Sequence, residues 1–250
     1  MNSFSIGRFA QLGYATGEAL NTLCTNLSFT GENIKKIMIT SGHAAEGKTY
    51  ISMNIMRTMA NLGKTVVLVD ADLRKSMMVS KYRIQFADPE RKYGLAHCLA
   101  GKADLDNVIY KTNIPRAYMV PVGRTLSNPL TLLNSERFGQ ILDALAQNVD
   151  YVIVDAPPVG LVIDGAQIAK SCDGALIVVS YNAVRRQELI DVKEQIEQTG
   201  CSILGTVLNM VEYDNYLNRK YNYKSYYFNY EQTGSAAQTD QRSGKKERGK

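Results

Sequence analysis

The stretch Gly42-His43-Ala44-Ala45-Glu46-Gly47-Lys48-Thr49 matches the pattern G-x-x-x-x-G-K-[S/T] in every fixed position. It follows an apolar, strand-like segment at 36–40 and precedes a helical pattern that begins at Lys48. In this context backbone N–H groups and the N-terminus of the helix surround phosphate oxygens. The sequence therefore predicts a phosphate-binding loop, in which Lys48 reaches the β and γ phosphates and the Thr49 hydroxyl binds Mg²⁺. A glycine-containing turn that matches by chance is the structural alternative.

Short apolar runs alternate with helical patterns along most of the chain. Candidate strands occupy residues 36–40, 65–70, 117–121, 151–155, 175–180 and 203–209, and candidate helices occupy residues 48–62, 94–99, 135–147, 164–170 and 186–199. This alternation predicts an α/β protein with the P-loop NTPase fold, a mostly parallel sheet with helices on both faces. Ligands bind such a sheet at the carboxyl ends of its strands. One further helix, at about residues 17–27, is predicted before the first strand.

The composition favours one large domain. With 250 residues, of which 45% are hydrophobic and 21% charged, the chain can build a deep core and is neither fibrous nor wholly disordered. No apolar run approaches the roughly 20 residues that cross a bilayer, and residues 1–30 do not resemble a secretory signal. We therefore expect a cytoplasmic protein. Four widely spaced cysteines and two histidines argue against a zinc site or a disulfide framework.

The sequence changes character after residue 211. Seven of the fifteen tyrosines fall within eighteen residues, with neither alternation nor a helical stripe. These seven are Tyr213, Tyr216, Tyr221, Tyr223, Tyr226, Tyr227 and Tyr230. Residues 213–250 hold eight Lys or Arg and four Asp or Glu, which gives +4 of the net charge of +5. Residues 1–212 are therefore nearly neutral, and their charge does not indicate a nucleic-acid partner. We divide the chain into an N-terminal helical segment (1–30), a P-loop domain (31–212) and a disordered, tyrosine-rich tail (213–250).

Acidic residues follow two of the predicted strands. Asp70 and Asp72 come after the run 66–69, and two carboxylates so close repel each other unless a cation or proton lies between them, which favours Mg²⁺. Asp155 follows four apolar or aromatic residues at 151–154 and has the form of a Walker B element. Each acid alone could be a turn or helix cap. Together with the upstream phosphate loop, they indicate a metal-nucleotide site.

The combination of residues 41–49, 66–74 and 151–158 resembles the bacterial tyrosine kinases (BY-kinases), whose cytoplasmic domains control capsule and exopolysaccharide synthesis. Further stretches that fit are 93–105, 128–138, 172–174 and 205–209. The resemblance covers about residues 18–210 and the tail. It implies ATP and Mg²⁺ as cofactors, Asp70 as the base that accepts the tyrosine hydroxyl proton, Asp72 as a support for Mg²⁺ and Asp155 as a metal-binding residue.

Three sets of site residues follow from the motifs and the resemblance. The catalytic set is Lys48, Asp70, Asp72 and Asp155, and the metal set is Thr49, Asp72 and Asp155. The nucleotide-binding set is Gly42, His43, Ala44, Ala45, Glu46, Gly47, Lys48, Thr49, Tyr50 and Asn209. Asn209 is either a contact to adenine or a cap at the end of the last strand.

The chain departs from the family pattern at the N-terminus and after the acidic motif. The family uses Glu-x-x-Arg-x-x-Arg for ring-like self-association, but here Asn21 and Cys24 follow Glu18 in place of the two arginines. A homo-oligomer stays possible, and a monomer or weak oligomer is predicted. Ser76 stands where the family commonly has proline, and Thr131 where an acid often follows Asn-Pro.

The leading hypothesis is an ATP-dependent protein-tyrosine kinase that phosphorylates its own tail and other protein tyrosines. By resemblance, a separate membrane-spanning activator of the polysaccharide co-polymerase type would recruit it to the inner face of the membrane. The alternatives are a partition- or positioning-type P-loop ATPase and an ATP-binding regulatory module with weak kinase activity. The ATPases carry a second lysine directly after the first loop glycine, where this chain has His43.

Overall fold

The computed structural model describes residues 2–9, 11–31, 33–88, 90 and 92–211. One compact unit extends to Asn209. All seven tail tyrosines lie outside the described residues, so the predictions for them stay predictions. Among the described residues, no helix has both the length and the apolar composition needed to span a bilayer.

The core of the fold is a nine-stranded sheet within the described residues. Its strands are β1 (Asn2–Ile6), β2 (Lys36–Ser41), β3 (Val66–Asp70), β4 (Ile84–Phe86), β5 (Tyr110–Lys111), β6 (Ala117–Val120), β7 (Tyr151–Asp155), β8 (Gly174–Ser180) and β9 (Ser202–Asn209). They are arranged in the order β4-β1-β5-β6-β3-β7-β2-β8-β9. The run from β6 to β9 is parallel, whereas β4 pairs with β1, and β5 with β6, in antiparallel fashion. The predicted mostly parallel α/β fold is confirmed.

Helices cover both faces of the sheet. They are α1 (Tyr14–Ser28), α2 (Lys48–Asn61), α3 (Met78–Lys81), α4 (Leu95–Leu99), α5 (Leu105–Val108), α6 (Leu130–Leu133), α7 (Glu136–Ala146), α8 (Asp164–Ala169) and α9 (Arg186–Glu197). Alternate residues of β2 serve the two sides: Met38 packs in a core with α4 and α7–α9, and Ile37 and Ile39 pack in a core with α1–α3. The sheet is therefore packed between two hydrophobic cores, and the loops at its carboxyl edge remain available for a site.

The main differences from the predicted elements lie at one edge of the sheet. Residues 1–30 were predicted as helical only, but Asn2–Ile6 form β1, with Phe4 and Ile6 buried. This strand is short, and its place depends on pairing with β4 and β5, which lie more than 75 residues further along the chain. Such pairing leaves a weak local signal. The helix predicted at 17–27 is observed as α1.

Candidate active site

The phosphate loop joins the end of β2 to the first residue of α2. Ala45 has a φ of 64° and Gly47 a φ of 91°, both in the left-handed region. Left-handed residues in a strand-to-helix loop make a concave run of N–H groups that favours anions. The Gly47 carbonyl already accepts the Ile51 N–H of α2, so the loop leads directly into the helix N-terminus. The structure places residues 42–49 as the motif predicted.

Glu46 is buried inside this loop and holds it to the neighbouring strands. Its Oε2 accepts the His43 N–H at 2.7 Å, and its Oε1 accepts the Ser180 N–H at 3.2 Å. Its carbonyl oxygen accepts a hydrogen bond from Asn209 Nδ2 at 2.9 Å. The loop is thus tied to the ends of β8 and β9. Asn209 lies at the site, and its predicted contact to adenine stays a prediction.

The side chain of His43 is directed toward α9 of its own chain. Its Nε2 lies 3.2 Å from Glu188 Oε2, in the first turn of α9. The Arg185 N–H and the His43 ring both hydrogen-bond the Glu188 carboxylate and lower its pKa. Gly160 packs against the first residue of the loop: a Cβ added to it would lie 2.6 Å from the Gly42 carbonyl oxygen, so only glycine fits there.

Asp70 and Asp155 lie at the carboxyl ends of β3 and β7, and they are register partners. Asp155 accepts hydrogen bonds from Thr49 Oγ1 at 2.7 Å and from Ser52 Oγ at 2.9 Å. Burial raises the pKa of Asp155 to about 6, and the Thr49 and Ser52 hydrogen bonds oppose that rise. This carboxyl is therefore fixed directly behind the phosphate loop.

Asp70 is only 1% exposed, and its two carboxyl oxygens have different surroundings. Oδ2 accepts a hydrogen bond from Ser76 Oγ, whereas Oδ1 is buried and has no hydrogen-bond partner in the part of the chain that the structure describes. Burial, and next the charge of Asp155, raise the pKa of Asp70 well above its usual range. Buried polar atoms without partners are rare and call for an explanation.

Asp72 organises the loop that follows β3. Its Oδ1 accepts the N–H groups of Arg74 at 3.3 Å and Lys75 at 3.0 Å. Arg74 then binds Asp164 through both Nε and Nη2, and donates to the Ser127 carbonyl at 2.9 Å. Arg74 and Asp164 thereby join the loop after β3 to the first turn of α8. Neither this pair nor Ser52 was predicted from the sequence. The available signal was Arg74, the last residue of the stretch 66–74 that resembles the family.

Lys48 lies among the acids of the site. Burial lowers the pKa of its ammonium group, and the carboxylates of Asp155, Asp72 and Glu46 oppose this shift. The structure thus brings together the four residues predicted to be catalytic, Lys48, Asp70, Asp72 and Asp155. Tyr50, predicted to contact the nucleotide, lies in the first turn of α2, is partly buried and packs against the core on the α1–α3 side of the sheet.

The oxygen atoms of this site suit a hard divalent cation. The donors are the Thr49 hydroxyl and the carboxylates of Asp72 and Asp155, and Mg²⁺ prefers oxygen ligands. Within the described residues no group of three or more His, Cys, Asp or Glu side chains could hold an ion alone. That is compatible with Mg²⁺, which commonly binds one or two carboxylates together with substrate phosphates and water.

A phosphate loop at the carboxyl edge of a parallel sheet, backed by a lysine and two strand-end acids, defines a P-loop nucleotide-binding protein. The AAA domain family model matches residues 34–220. The chain is 39% identical over 196 residues to the tyrosine-protein kinase CpsD of Streptococcus agalactiae serotype III, which covers 78% of this chain and 83% of the relative.

Two solved structures also resemble this chain in fold and sequence. The kinase domain of the Escherichia coli tyrosine kinase ETK superposes with a TM-score of 0.72 at 31% identity, covering 78% of this chain and 75% of that one. The chimerical protein CapA2B2 superposes with a TM-score of 0.73 at 28% identity, covering 83% and 92%. The chain belongs to the bacterial tyrosine kinases, the BY-kinases of capsule and exopolysaccharide synthesis, as its motifs predicted.

The septum-site-determining protein MinD of Pyrococcus horikoshii, solved with Mg-ADP, shares the fold alone. Its TM-score is 0.59 at 23% identity, with 72% of each chain covered. The positioning-type ATPases are therefore related in architecture, and the higher similarity to tyrosine kinases favours the kinase hypothesis.

Proposed function

We propose that this chain is an ATP-dependent protein-tyrosine kinase that phosphorylates its own tyrosine cluster, residues 213–230, and takes part in the control of capsular or exopolysaccharide synthesis. The observation that carries the proposal is Asp70, a buried carboxyl with one oxygen unpartnered among the described residues, opposite Asp155 at the carboxyl edge of the sheet that also carries the phosphate loop. A phosphate loop alone would serve any nucleotide-binding protein. An available carboxylate beside it is what the activation of a hydroxyl requires.

The phosphate loop and Lys48 hold the triphosphate. Backbone N–H groups of residues 42–49 and the N-terminus of α2 bind the phosphate oxygens, and the Lys48 ammonium neutralises charge that develops on the transferred group. Phosphoryl transfer depends mainly on such positioning and charge stabilisation. Glu46 and Asn209 support this function by keeping the loop in place.

Thr49, Asp72 and Asp155 would hold Mg²⁺. When bound, the ion would neutralise phosphate charge and help to orient the transferred group. Before that, the Thr49 and Ser52 hydroxyls keep the Asp155 carboxyl oriented. Burial, and next the charge of Asp155, raise the pKa of Asp70, and a bound cation would offset that negative charge.

The tyrosine cluster supplies the acceptors. Asn209 ends the last strand beside the phosphate loop, and Tyr213 follows four residues later. Seven phosphates would add roughly −10 to −14 charges at pH 7, against +4 on residues 213–250. Such a change in charge could dissociate an oligomer or alter the affinity for a partner. We also propose that a separate membrane-spanning activator recruits the chain to the membrane, and that other protein tyrosines are substrates.

The test is incorporation of phosphate from labelled ATP and Mg²⁺ into tyrosine of the purified full chain. Lys48→Met should lower incorporation by about 10²-fold or more while the circular dichroism spectrum is unchanged. The matched control is Lys64→Met, which changes an exposed lysine three residues beyond the C-terminal end of α2. Truncation after Glu212 should remove most phosphotyrosine but keep ATP binding.

Each alternative function predicts another result. A positioning ATPase would release phosphate without making phosphotyrosine, and a regulatory module would bind ATP and do neither efficiently. Phosphotyrosine found mainly on Tyr14, Tyr50 or Tyr82 would show that the tail is not the acceptor.

A further inference from the structure

Ser76 lies beside Asp70 but belongs to none of the motifs that define the site. It is six residues further along the chain, in the loop between β3 and α3. Its hydroxyl donates to Asp70 Oδ2, and the Asp72 backbone also hydrogen-bonds this carboxyl group. The other oxygen, Oδ1, stays buried and unpartnered within the described part of the chain.

The Ser76 hydroxyl has a defined direction. Its oxygen accepts the N–H of Met78, the first residue of α3, at 3.3 Å. Its single proton is donated to Asp70 Oδ2, so the hydroxyl makes one bond as acceptor and one as donor. The backbone N–H of Ser76 donates in turn to the Asp72 carbonyl at 3.1 Å, so the residue is held on two sides.

The loop that carries Ser76 is itself anchored. Asp72 Oδ1 accepts two N–H groups of the loop, from Arg74 and Lys75. The Leu73 carbonyl accepts the Leu126 N–H at 2.7 Å, and Arg74 binds the buried Asp164. The serine is therefore presented to Asp70 by a fixed backbone.

We propose that Ser76 is a positioning residue for phosphoryl transfer: it holds one oxygen of Asp70 so that the other oxygen faces the acceptor hydroxyl. This inference rests on the proposed kinase function. A carboxyl group without a partner can rotate about its terminal bond, since that torsion is broad. A hydrogen bond to Oδ2 sets the carboxyl plane, and with it the direction of the Oδ1 lone pairs.

The step that benefits is the attack of the tyrosine oxygen on the γ phosphorus. A bond forms between the tyrosine oxygen and phosphorus, and the bond from phosphorus to the β–γ bridging oxygen breaks, releasing ADP. The tyrosine hydroxyl proton moves to Asp70 Oδ1 and is later released to solvent. Ser76 takes no part in bond making, so its removal should slow turnover without weakening nucleotide binding.

The experiment compares Ser76→Ala, Ser76→Thr and Ser80→Ala in the full chain, with a soluble tyrosine peptide as acceptor. Ser80→Ala is the matched control, because Ser80 is exposed in α3 and its hydroxyl caps the Met77 carbonyl at 3.0 Å, away from Asp70. We expect Ser76→Ala to lower kcat about 10-fold, the effect of one lost hydrogen bond of about 1.4 kcal/mol. KM for ATP and the nucleotide Kd should change less than about twofold. Ser76→Thr, which keeps the hydroxyl, should restore most of kcat.

Two results would overturn the inference while leaving the kinase function intact: a kcat of Ser76→Ala within twofold of the wild type, or a folded Ser76→Thr that is as slow as Ser76→Ala. A loss of nucleotide affinity equal to the loss of kcat would also overturn it, because the role of Ser76 would then be structural. A wild-type chain that makes no phosphotyrosine would instead contradict the proposed function, and this inference with it.

Discussion

Asp70 and Asp155 lie opposite each other at the ends of two hydrogen-bonded parallel strands, and both are buried. Burial raises the pKa of both carboxyl groups, and the charge of Asp155 raises the pKa of Asp70 further. The arrangement is costly for an empty protein and favourable for one that binds a cation with its substrate. Stability therefore reports on the same residues as activity.

We expect the free energy of unfolding of the nucleotide-free, metal-free protein to fall as pH rises from about 4 to about 6. An aspartate in an unfolded chain titrates near pH 3.9, whereas the fold holds the pKa of Asp155 at about 6. Between these values the folded state binds more protons than the unfolded state, so raising the pH favours unfolding, by roughly 1–3 kcal/mol in all.

Urea denaturation in EDTA at several pH values measures this fall. Asp155→Asn cannot ionise and should show a smaller slope over the same range. Equal slopes in the two proteins would contradict the role given to Asp155.

Removal of Arg74 should destabilise the fold. The side chain of Asp164 is 1% exposed, and Arg74→Ala would leave its charge buried without a cation. We expect a loss of about 2–4 kcal/mol, because an uncompensated buried charge costs more than the intact pair contributes. Asp164→Asn should cost less. Arg124→Ala, at an exposed arginine, is the control and should lie within about 0.5 kcal/mol of the wild type.

Ala45→Gly should stabilise the phosphate loop. Ala45 has a φ of 64°, a region in which a Cβ is strained and glycine is not. We expect a gain of about 0.5–1 kcal/mol in thermal unfolding without nucleotide. Ala44→Gly is the matched control, since Ala44 is outside the set of positive-φ residues and should gain nothing. If both variants lost stability equally, the left-handed conformation at Ala45 would be in doubt.

The isolated protein should be a monomer or a weak oligomer. Cys24 is buried and packs toward α2, and the exposed Asn21 donates to Glu18 in its own helix at 3.4 Å. Neither side chain can make the charged, bidentate contacts that arginine makes with a carboxylate.

Light scattering of the unphosphorylated protein at micromolar concentration measures its oligomeric state. If association is weak, autophosphorylation should rise steeply with protein concentration. A stable ring-sized species would show that other surfaces replace the arginines.

Much of the fold was predictable because its signals are local. The strands ending at Asp70 and Asp155 and the helix beginning at Lys48 have continuous apolar runs or a strong motif, and the structure matches their bounds within a residue or two. Strands β1, β4 and β5 were not predicted. They have five residues or fewer, so no local pattern distinguishes them from loops; β5 has only two residues, and β1 pairs with β4 and β5 more than 75 residues away.

By itself, the sequence determined the phosphate loop, the strand-end acids and the family, because these are runs of adjacent residues whose spacing sets their chemistry. Only the tertiary structure decided how the acids are used. The bond from Asn209 to Glu46 spans 163 residues, and that from Arg74 to Asp164 spans 90. Even Ser76, six residues from Asp70, reaches it because distant strands and loops fix the backbone between them. The motifs identify which residues form the site. The partners and directions of their hydrogen bonds depend on tertiary packing, which no local pattern encodes.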